Sequence, residues 1–152
     1  MLDASGVKPE KIELEITENL LMTDFDTSAE LLKRIKEIGV RISIDDFGTG
    51  YSSLRYISDL PVDVIKIDKS FTDRIIDSPK IKAIIKAIID IAHSTDSYVI
   101  AEGVESEDQV KMFTSLDCHM IQGYYYSKPK SLKTLMEEKK EAIVEAEVEK
   151  LL

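Results

Sequence analysis

The sequence predicts an α/β fold, because short runs rich in β-branched residues alternate with longer stretches whose apolar residues recur at helical spacing. Five such βα units follow one another, and consecutive parallel strands need a crossover helix, so a mostly parallel sheet is expected. At 152 residues the chain is shorter than the ~250 residues of a typical closed eight-stranded barrel. The expected architecture is therefore a partial, half TIM-type βα barrel.

Five segments have the composition of buried strands and are bounded by turn residues or by helical stretches. The first reads IELEIT, the second VRISI and the third VDVIKI, each dominated by branched apolar residues. The predicted strands are residues 12–17, 40–44, 62–67, 98–101 and 119–122.

Helices are expected between these strands. Gly39 follows a helical stretch where a helix C-terminus favours a residue with positive φ, and Pro79 suits a first helical turn. The predicted helices are residues 27–38, a short one at 54–58, residues 79–93, residues 107–115 and a long polar C-terminal helix at 131–152. No linker or repeat interrupts the chain, so residues 1–152 are expected to form a single domain.

Composition narrows the class of protein. Hydrophobic residues make up 43% of the chain and charged residues 32%, with a formal net charge of −9. An acidic, charge-rich chain is typical of a soluble protein and argues against binding to a nucleic-acid polymer or an anionic membrane. The first 11 residues lack the features of a secretion signal, so the cytoplasm is the expected location. Cys118 is the only cysteine, and we expect it to be a small core residue.

Polar residues stand at or just beyond the C-terminal end of every predicted strand, which is where α/β barrels and open sheets build their active sites. Clustered carboxylates repel one another unless they share a cation, and oxygen ligands suit Mg²⁺, Mn²⁺ or Ca²⁺. Any one of these residues could instead be a solvated loop charge or a helix N-cap. The set comprises Glu15, Glu18, Asp45, Asp46, Lys66, Asp68, Glu102, Glu105 and Gln122.

Most of these residues lie in five motifs: EITE at 15–18, DDFGTGYSSL at 45–54, IKID at 65–68, AEGVE at 101–105 and QGYYYSKP at 122–129. In order and spacing, these motifs resemble the later motifs of EAL-domain proteins, over about residues 5–129. The resemblance implies an α/β barrel that hydrolyses cyclic di-GMP to linear pGpG with two divalent metals, Mg²⁺ or Mn²⁺.

The resemblance also implies roles for single residues. Glu15 and Asp45 are expected to be metal ligands, and Asp46 to serve the second metal. Lys66 is expected to lie against the attacking water and the scissile phosphate, and Glu102 to act as general base or as a partner of the metal site. A Schiff-base role is the alternative for Lys66, which the surrounding carboxylates disfavour.

Further residues are expected to support this site. Glu18 is expected to steady the loop that contains Gly48 and Thr49, while Glu105 and Gln122 are expected to support Glu102. The tyrosines at 124–126 are expected either to pack against a guanine base or to pack under the barrel rim. His93 and His119 are expected to be isolated residues rather than ligands.

The family's Glu-Ala-Leu segment, with the arginine and asparagine that follow it, would precede Glu15 and is not found in this sequence. We therefore expect weak or no hydrolysis by this chain alone. We expect a homodimer or another chain to complete the barrel, because a half-barrel exposes two sheet edges. The alternative is that the long C-terminal helix covers the exposed apolar surface. The alternatives are a non-catalytic module that binds cyclic di-GMP or docks a partner, and an excised or engineered half-barrel fragment.

Overall fold

The computed structural model describes residues 6–49 and 60–149, of which residues 141–149 are described as helical backbone only. The described strands form one parallel sheet in the order β1-β2-β3-β4-β5, which confirms the predicted α/β class. The strands are β1 (Glu13–Thr17), β2 (Arg41–Phe47), β3 (Val64–Ile67), β4 (Tyr98–Ala101) and β5 (Met120–Ile121).

Described helices stand between β1 and β2, between β3 and β4 and between β4 and β5, in keeping with the crossover that parallel neighbours need. A short 3₁₀ turn (Pro9–Lys11) precedes β1. The described helices are α1 (Glu18–Thr23), α2 (Phe25–Glu37), α3 (Lys69–Thr72), α4 (Pro79–Ser94), α5 (Glu107–Ser115) and α6 (Leu132–Glu149). The helix predicted at residues 54–58 lies outside the described residues.

Local sequence explains where these helices begin and end. The side chain of Ser78 accepts a hydrogen bond from the Ile81 N–H ahead of Pro79, which confirms the predicted start of α4. A capping box formed by Ser106 and Gln109 starts α5. Gly39 has a φ of +93° directly after α2, which confirms the predicted turn.

The two faces of the sheet differ in polarity. Alternate residues of β2, β3 and β4 point towards the helices and are fully buried with the apolar side of α4. Burial of each such branched side chain stabilises the fold by roughly 1.5–3 kcal/mol. The opposite face carries charged side chains from the same strands. The core members on the helix face are Ile42, Ile44, Ile65, Ile67, Val99 and Ala101, with Ile81, Ile85, Ile88 and Ile89 from α4.

Four strands differ from their predicted bounds, of which β1 begins at Glu13 rather than at 12. Strand β2 continues to Phe47 instead of ending at residue 44, because an irregularity in its pairing with β3 accommodates an extra residue. Strand β3 begins at Val64 rather than at 62. The Asp63 side chain accepts a hydrogen bond from the Ile42 N–H at 2.7 Å and binds Lys36 Nζ at 2.6 Å. It therefore links β2 to α2 just before β3 starts.

Strand β5 is shorter than the predicted 119–122. The Val99 N–H donates a hydrogen bond to Nδ1 of the His119 side chain at 3.1 Å, so an imidazole replaces a backbone partner at this edge. The last helix, predicted at 131–152, is described from Leu132 to Glu149. No described helix has the length and apolarity needed to cross a bilayer.

Candidate functional site

A lysine surrounded by carboxylates lies at the centre of the polar face. Lys66, on β3, is only 7% exposed. Its Nζ lies 3.1 Å from Glu15 Oε1, 3.1 Å from Asp45 Oδ1 and 2.9 Å from Glu102 Oε1. These partners come from β1, from β2 and from the residue just after β4, so parallel pairing brings together groups up to 87 positions apart in sequence, Glu15 being the first and Glu102 the last.

The charges in this cluster do not balance. Among the described residues, three carboxylates against one ammonium leave two formal negative charges uncompensated. Burial lowers the pKa of the Lys66 ammonium, but its bonds to Glu102, Glu15 and Asp45 outweigh that effect and hold the pKa well above its ordinary value. Lys66 is therefore a permanent cation over the physiological pH range.

A bulge in β2 places the two adjacent aspartates. Ile44 pairs with Ile65 and Phe47 pairs with Ile67, so two residues of β2, Asp45 and Asp46, oppose Lys66 alone. Asp46 has a φ of +54°, in the left-handed region that residues other than glycine seldom adopt. The extra residue lets Asp45 turn towards Lys66 while the Asp46 side chain is exposed.

Glu18 fixes the chain that leaves this bulge. Its carboxylate is 1% exposed, and Oε2 accepts the Gly48 N–H at 2.7 Å. The next residue, Thr49, donates its hydroxyl to the Asp46 carbonyl at 2.8 Å. A charged acceptor makes a stronger hydrogen bond than a neutral one, so Glu18 is a firm anchor for the start of the Gly-rich loop.

The residue types at this site fit a hard divalent cation. Carboxylate oxygens are the ligands that Mg²⁺ and Mn²⁺ prefer, and Asp45 Oδ1 is buried without a well-aligned hydrogen bond, although Lys66 Nζ lies 3.1 Å away. Within residues 6–49 and 60–149, no group of three or more His, Cys, Asp or Glu side chains is spaced to hold a metal. The lysine, not a carboxylate cage, is the centre of the cluster as it stands.

The loop after β4 places Glu102 and separates it from Glu105. The Glu102 N–H donates to the Ile67 carbonyl at 3.1 Å, which keeps this residue at the end of the sheet beside Lys66. Glu105 is exposed and binds Lys69 Nζ at 2.9 Å. A cavity of about 300 Å³ adjoins this loop and is lined by Lys69, Glu102, Gly103, Glu105, Gln122, Gly123 and Tyr124.

A larger cavity of about 460 Å³ lies at the N-terminal ends of β4 and β5, away from the carboxylate cluster. His93 and His119, which we expected to be isolated, are in edge-to-face contact there with ring centroids 4.6 Å apart. His119 Nδ1 accepts the Val99 N–H, so a neutral His119 carries its proton on Nε2 and offers no free lone pair. His119 therefore has no ring nitrogen available as a ligand in this cavity.

Of the residues predicted for the site, the structure brings together Glu15, Asp45, Lys66 and Glu102, and it joins Glu18 to Gly48. Asp46 and Glu105 have exposed side chains, of which Glu105 binds Lys69, and Gln122 contributes backbone bonds to Ala101 and Val104. The sequence reasoning missed Lys69, which binds both Glu105 and Asp73. The i,i+4 spacing of Lys69 and Asp73 was the available signal.

The model of the EAL domain family matches residues 1–129. This chain belongs to the EAL family. The match confirms the resemblance that the five motifs carried. The EAL chain is 43% identical over 136 residues to a protein of Pseudomonas aeruginosa named cyclic di-GMP phosphodiesterase NbdA, covering 90% of this chain and 17% of that protein.

Solved structures agree with this assignment. A cyclic di-GMP complex of the MucR phosphodiesterase of Pseudomonas aeruginosa matches with a TM-score of 0.84 and 38% identity, covering 88% of the EAL chain and 54% of that chain. A manganese and cyclic di-GMP complex of Klebsiella pneumoniae BlrP1 matches with a TM-score of 0.79 and 32% identity, covering 84% and 33%. The EAL chain spans about a fifth or less of the curated relatives' length.

Proposed function

We propose that this chain supplies one side of an EAL-type site for metal-dependent hydrolysis of cyclic di-GMP to linear pGpG. The observation that carries the proposal is the buried Lys66 ammonium held by Glu15, Asp45 and Glu102 at the C-terminal ends of parallel strands. Family membership adds support, because relatives of this chain are named as cyclic di-GMP phosphodiesterases.

Lys66 and Glu102 are the proposed catalytic pair. A lysine fixed as a cation stabilises negative charge as it develops on phosphoryl oxygens, and its burial strengthens that interaction. Glu102 lies 2.9 Å from the same ammonium, and a carboxylate so placed can accept the proton of an attacking water. The two groups thus have complementary charges at one point of the sheet edge.

Glu15, Asp45 and Asp46 are the proposed ligands of Mg²⁺ or Mn²⁺. A bound divalent cation supplies Lewis acidity towards a phosphate ester. The support is the excess negative charge of the cluster, the poorly satisfied Asp45 Oδ1 and the manganese complex of the BlrP1 relative. Further ligands would have to come from outside the described residues, because these three do not form a metal cage.

The remaining predicted residues act on the edges of this site. Glu18 holds Gly48 and thereby the Asp45–Asp46 bulge, and Thr49 closes the turn against the Asp46 carbonyl. Gln122 lines the cavity beside Glu102 and is proposed to face the substrate. Glu105 is proposed to act indirectly, through its ion pair with Lys69.

A non-catalytic cyclic di-GMP-binding module is the second candidate. It is favoured by one observation: Lys66 already occupies the point on which the three carboxylates converge. A lysine and a cavity without a metal can bind a phosphodiester and leave it intact.

Completion of the barrel by a second polypeptide is part of the proposal. Among the described strands, β1 pairs only with β2 and β5 pairs only with β4. Tyr98 and Met120, on the face that carries Lys66, are 51% and 42% exposed. We propose a second copy of the chain as the partner, because two-fold symmetry covers such a surface most economically. Sedimentation of the purified chain tests this, and a monomer at micromolar concentration would contradict it.

Hydrolysis decides between the two candidate functions. The chain is incubated with cyclic di-GMP and Mn²⁺ or Mg²⁺, with and without chelator, and pGpG is measured by chromatography while calorimetry measures binding. The test variant is Glu102→Gln, and the matched control is Glu107→Gln, an exposed residue paired with Lys111 outside the site. Metal-dependent pGpG that is lost only in Glu102→Gln supports the enzyme. Binding without product supports the module. If the chain neither hydrolyses nor binds cyclic di-GMP, both candidate functions are overturned.

A further inference from the structure

The one-turn helix α3 lies between the two loops that carry the candidate site. Its first residue, Lys69, lies over Gly103, which has a φ of +69°. A methyl group on Gly103 would come within 2.4 Å of Lys69 Cγ and 2.7 Å of Cδ. The aliphatic stem of Lys69 is thus in direct contact with the backbone of the residue that follows Glu102.

The same helix reaches the other loop through Phe71. Gly48 has a φ of +97°, and a methyl group there would lie 2.8 Å from Phe71 Cε2 and 2.9 Å from Cζ. The ring therefore covers the backbone of Gly48 from one side, while the Glu18 carboxylate binds its N–H. Phe71 also packs against the apolar core, which gives the ring a fixed base.

The Glu102 loop is bounded on its second side as well. A methyl group on Gly123 would lie 2.0 Å from the Val104 carbonyl oxygen and 2.3 Å from the Val104 nitrogen. The Val104 N–H donates to the Gln122 carbonyl at 3.1 Å, and the Tyr125 N–H donates to the Val104 carbonyl at 3.0 Å. Gly103 and Val104 thus pass through a narrow gap between Lys69 and the chain at Gly123.

The Lys69 ammonium also forms ion pairs on both sides of this gap. Its Nζ lies 2.7 Å from Asp73 Oδ1 on its own helical side and 2.9 Å from Glu105 Oε1 on the loop. Gln109 adds a neutral link, because its Oε1 accepts the Glu105 N–H at 2.8 Å and its Nε2 donates to the Thr72 carbonyl at 3.1 Å. Two independent connections therefore join α3 to the Glu102 loop.

We propose that Lys69 and Phe71 are positioning residues that hold Glu102 and the Asp45–Asp46 bulge in register across Lys66. The Lys69 stem fixes Gly103, and the Phe71 ring fixes Gly48, so the short helix sets the spacing between two loops far apart in sequence. The inference deepens the proposed function, on which it rests for the importance of that spacing. It adds two residues of α3 to the set that determines the site.

Amide hydrogen exchange, followed by NMR at single residues, tests the Lys69 contact without substrate or metal. Lys69→Ser removes the charge and the stem beyond Cβ, whereas Lys69→Met keeps the stem. Both variants are expected to fold, because the side chain is 47% exposed. The matched control is Lys86→Ser, since Lys86 is 46% exposed and forms the same i,i+4 pair with Asp90 but lies on α4.

The expected result is a local change with rescue by the conservative variant. In Lys69→Ser the Val104 and Glu105 amides exchange about tenfold faster, while amides of β3 and β4 keep their rates, because an opened gap exposes only the loop. In Lys69→Met the two rates stay within about twofold of the parent, because the methylene contacts remain. Rates in Lys69→Ser that match those of Lys86→Ser would overturn the Lys69 part of the proposal.

A double-substitution cycle tests the contact itself. Gly103→Ala is strained by its positive φ and also collides with Lys69 Cγ at 2.4 Å and Cδ at 2.7 Å. The Lys69→Ser background has no Cδ, and its single Oγ can rotate away, so there only the strain and the 2.8 Å contact with Cβ remain. The proposal requires Gly103→Ala to destabilise the parent more than it destabilises Lys69→Ser. Equal effects in the two backgrounds would refute the contact.

Phe71 is tested at the other loop. Phe71→Leu keeps an apolar core residue but removes the flat ring over Gly48, and the Gly48 amide is expected to exchange about tenfold faster. An unchanged Gly48 rate would overturn the Phe71 part. Since exchange is read without cyclic di-GMP, a chain that hydrolyses and binds nothing defeats the proposed function and leaves the positioning result intact.

Discussion

Replacement of Lys66 by methionine removes the cation from the centre of the cluster while it keeps the length of the side chain. Glu15, Asp45 and Glu102 then face one another around an apolar group. Each carboxylate oxygen lies close to the former ammonium position, so any two of them are no more than about 6 Å apart. At an effective dielectric constant of about 20, each such pair repels by about 3 kcal/mol.

The net effect on stability is smaller than the sum of three repulsions. The Glu15 side chain is 53% exposed and is screened by water, whereas Glu102 is 18% exposed and is not. A methionine also gains apolar burial that a lysine lacks. Removal of one partner from a buried ion pair costs about 3–5 kcal/mol, so we expect Lys66→Met to lower the free energy of unfolding by about 3 kcal/mol at pH 7.

A second substitution identifies the cause. Glu102→Gln removes one of the repelling charges, so Lys66→Met is expected to cost less than half as much in the Glu102→Gln background as in the parent. Urea denaturation at pH 7 measures the cost in both backgrounds. The control is Lys86→Met, an exposed lysine paired with Asp90, whose cost should stay below about 1 kcal/mol in either background. A Lys66→Met penalty below about 1 kcal/mol, or one that is equal in the two backgrounds, would refute the charge cluster.

Three further predictions follow from single contacts. Glu18→Ala should destabilise the fold by about 1–3 kcal/mol in urea denaturation, because the Gly48 N–H loses its buried acceptor, while Glu18→Gln keeps an acceptor and should cost less. Gly39→Ala should cost about 1 kcal/mol from its φ of +93° alone, since Pro9 lies at an ordinary 3.5 Å; no change in the denaturation midpoint would refute that strain. Burial raises the pKa of the Cys118 thiol from 9.0 to about 11, so its alkylation by iodoacetamide at pH 8 should be about 100-fold slower in the folded chain than in urea, and equal rates would contradict this.

Sequence reasoning predicted the elements whose signals are local. The start of α4 at Pro79, the bounds of α5 and the positive φ of Gly39 each depend on residues within one or two helical turns. The parallel order of the strands also followed from the alternation of strand and helix patterns, since such an alternation leaves few topologies.

The strand ends could not be predicted because they depend on distant partners. The bulge at Asp45 and Asp46 exists only when β2 is paired with β3, and the late start of β5 depends on the His119 side chain at the Val99 N–H. Lengths set by pairing are not encoded in the periodicity of one segment.

At the site, too, some features were predictable from local sequence and others depend on distant contacts. Strand-end placement predicted that Glu15, Asp45, Lys66 and Glu102 would converge, which the geometry shows. The family resemblance implied that Glu105 supports Glu102, and in the structure Glu105 follows the left-handed turn at Gly103 and binds Lys69. Because α3 is a single turn, it has no periodic signal, and its contacts with Gly48 and Gly103 appear only in three dimensions.

The charge imbalance around Lys66 is itself an argument about function. A buried cluster of charged groups contributes less to stability than well-packed apolar side chains of similar volume. The helix face of the same strands shows that apolar packing was available, since Ile65 and Ile67 flank Lys66 in sequence and are fully buried. A sheet that is apolar on one face and retains two uncompensated negative charges on the other is therefore not explained by stability. The surplus is the charge that the proposed divalent cation would offset, and the loops at Gly48 and Gly103, packed on either side of α3, hold the carboxylates in place.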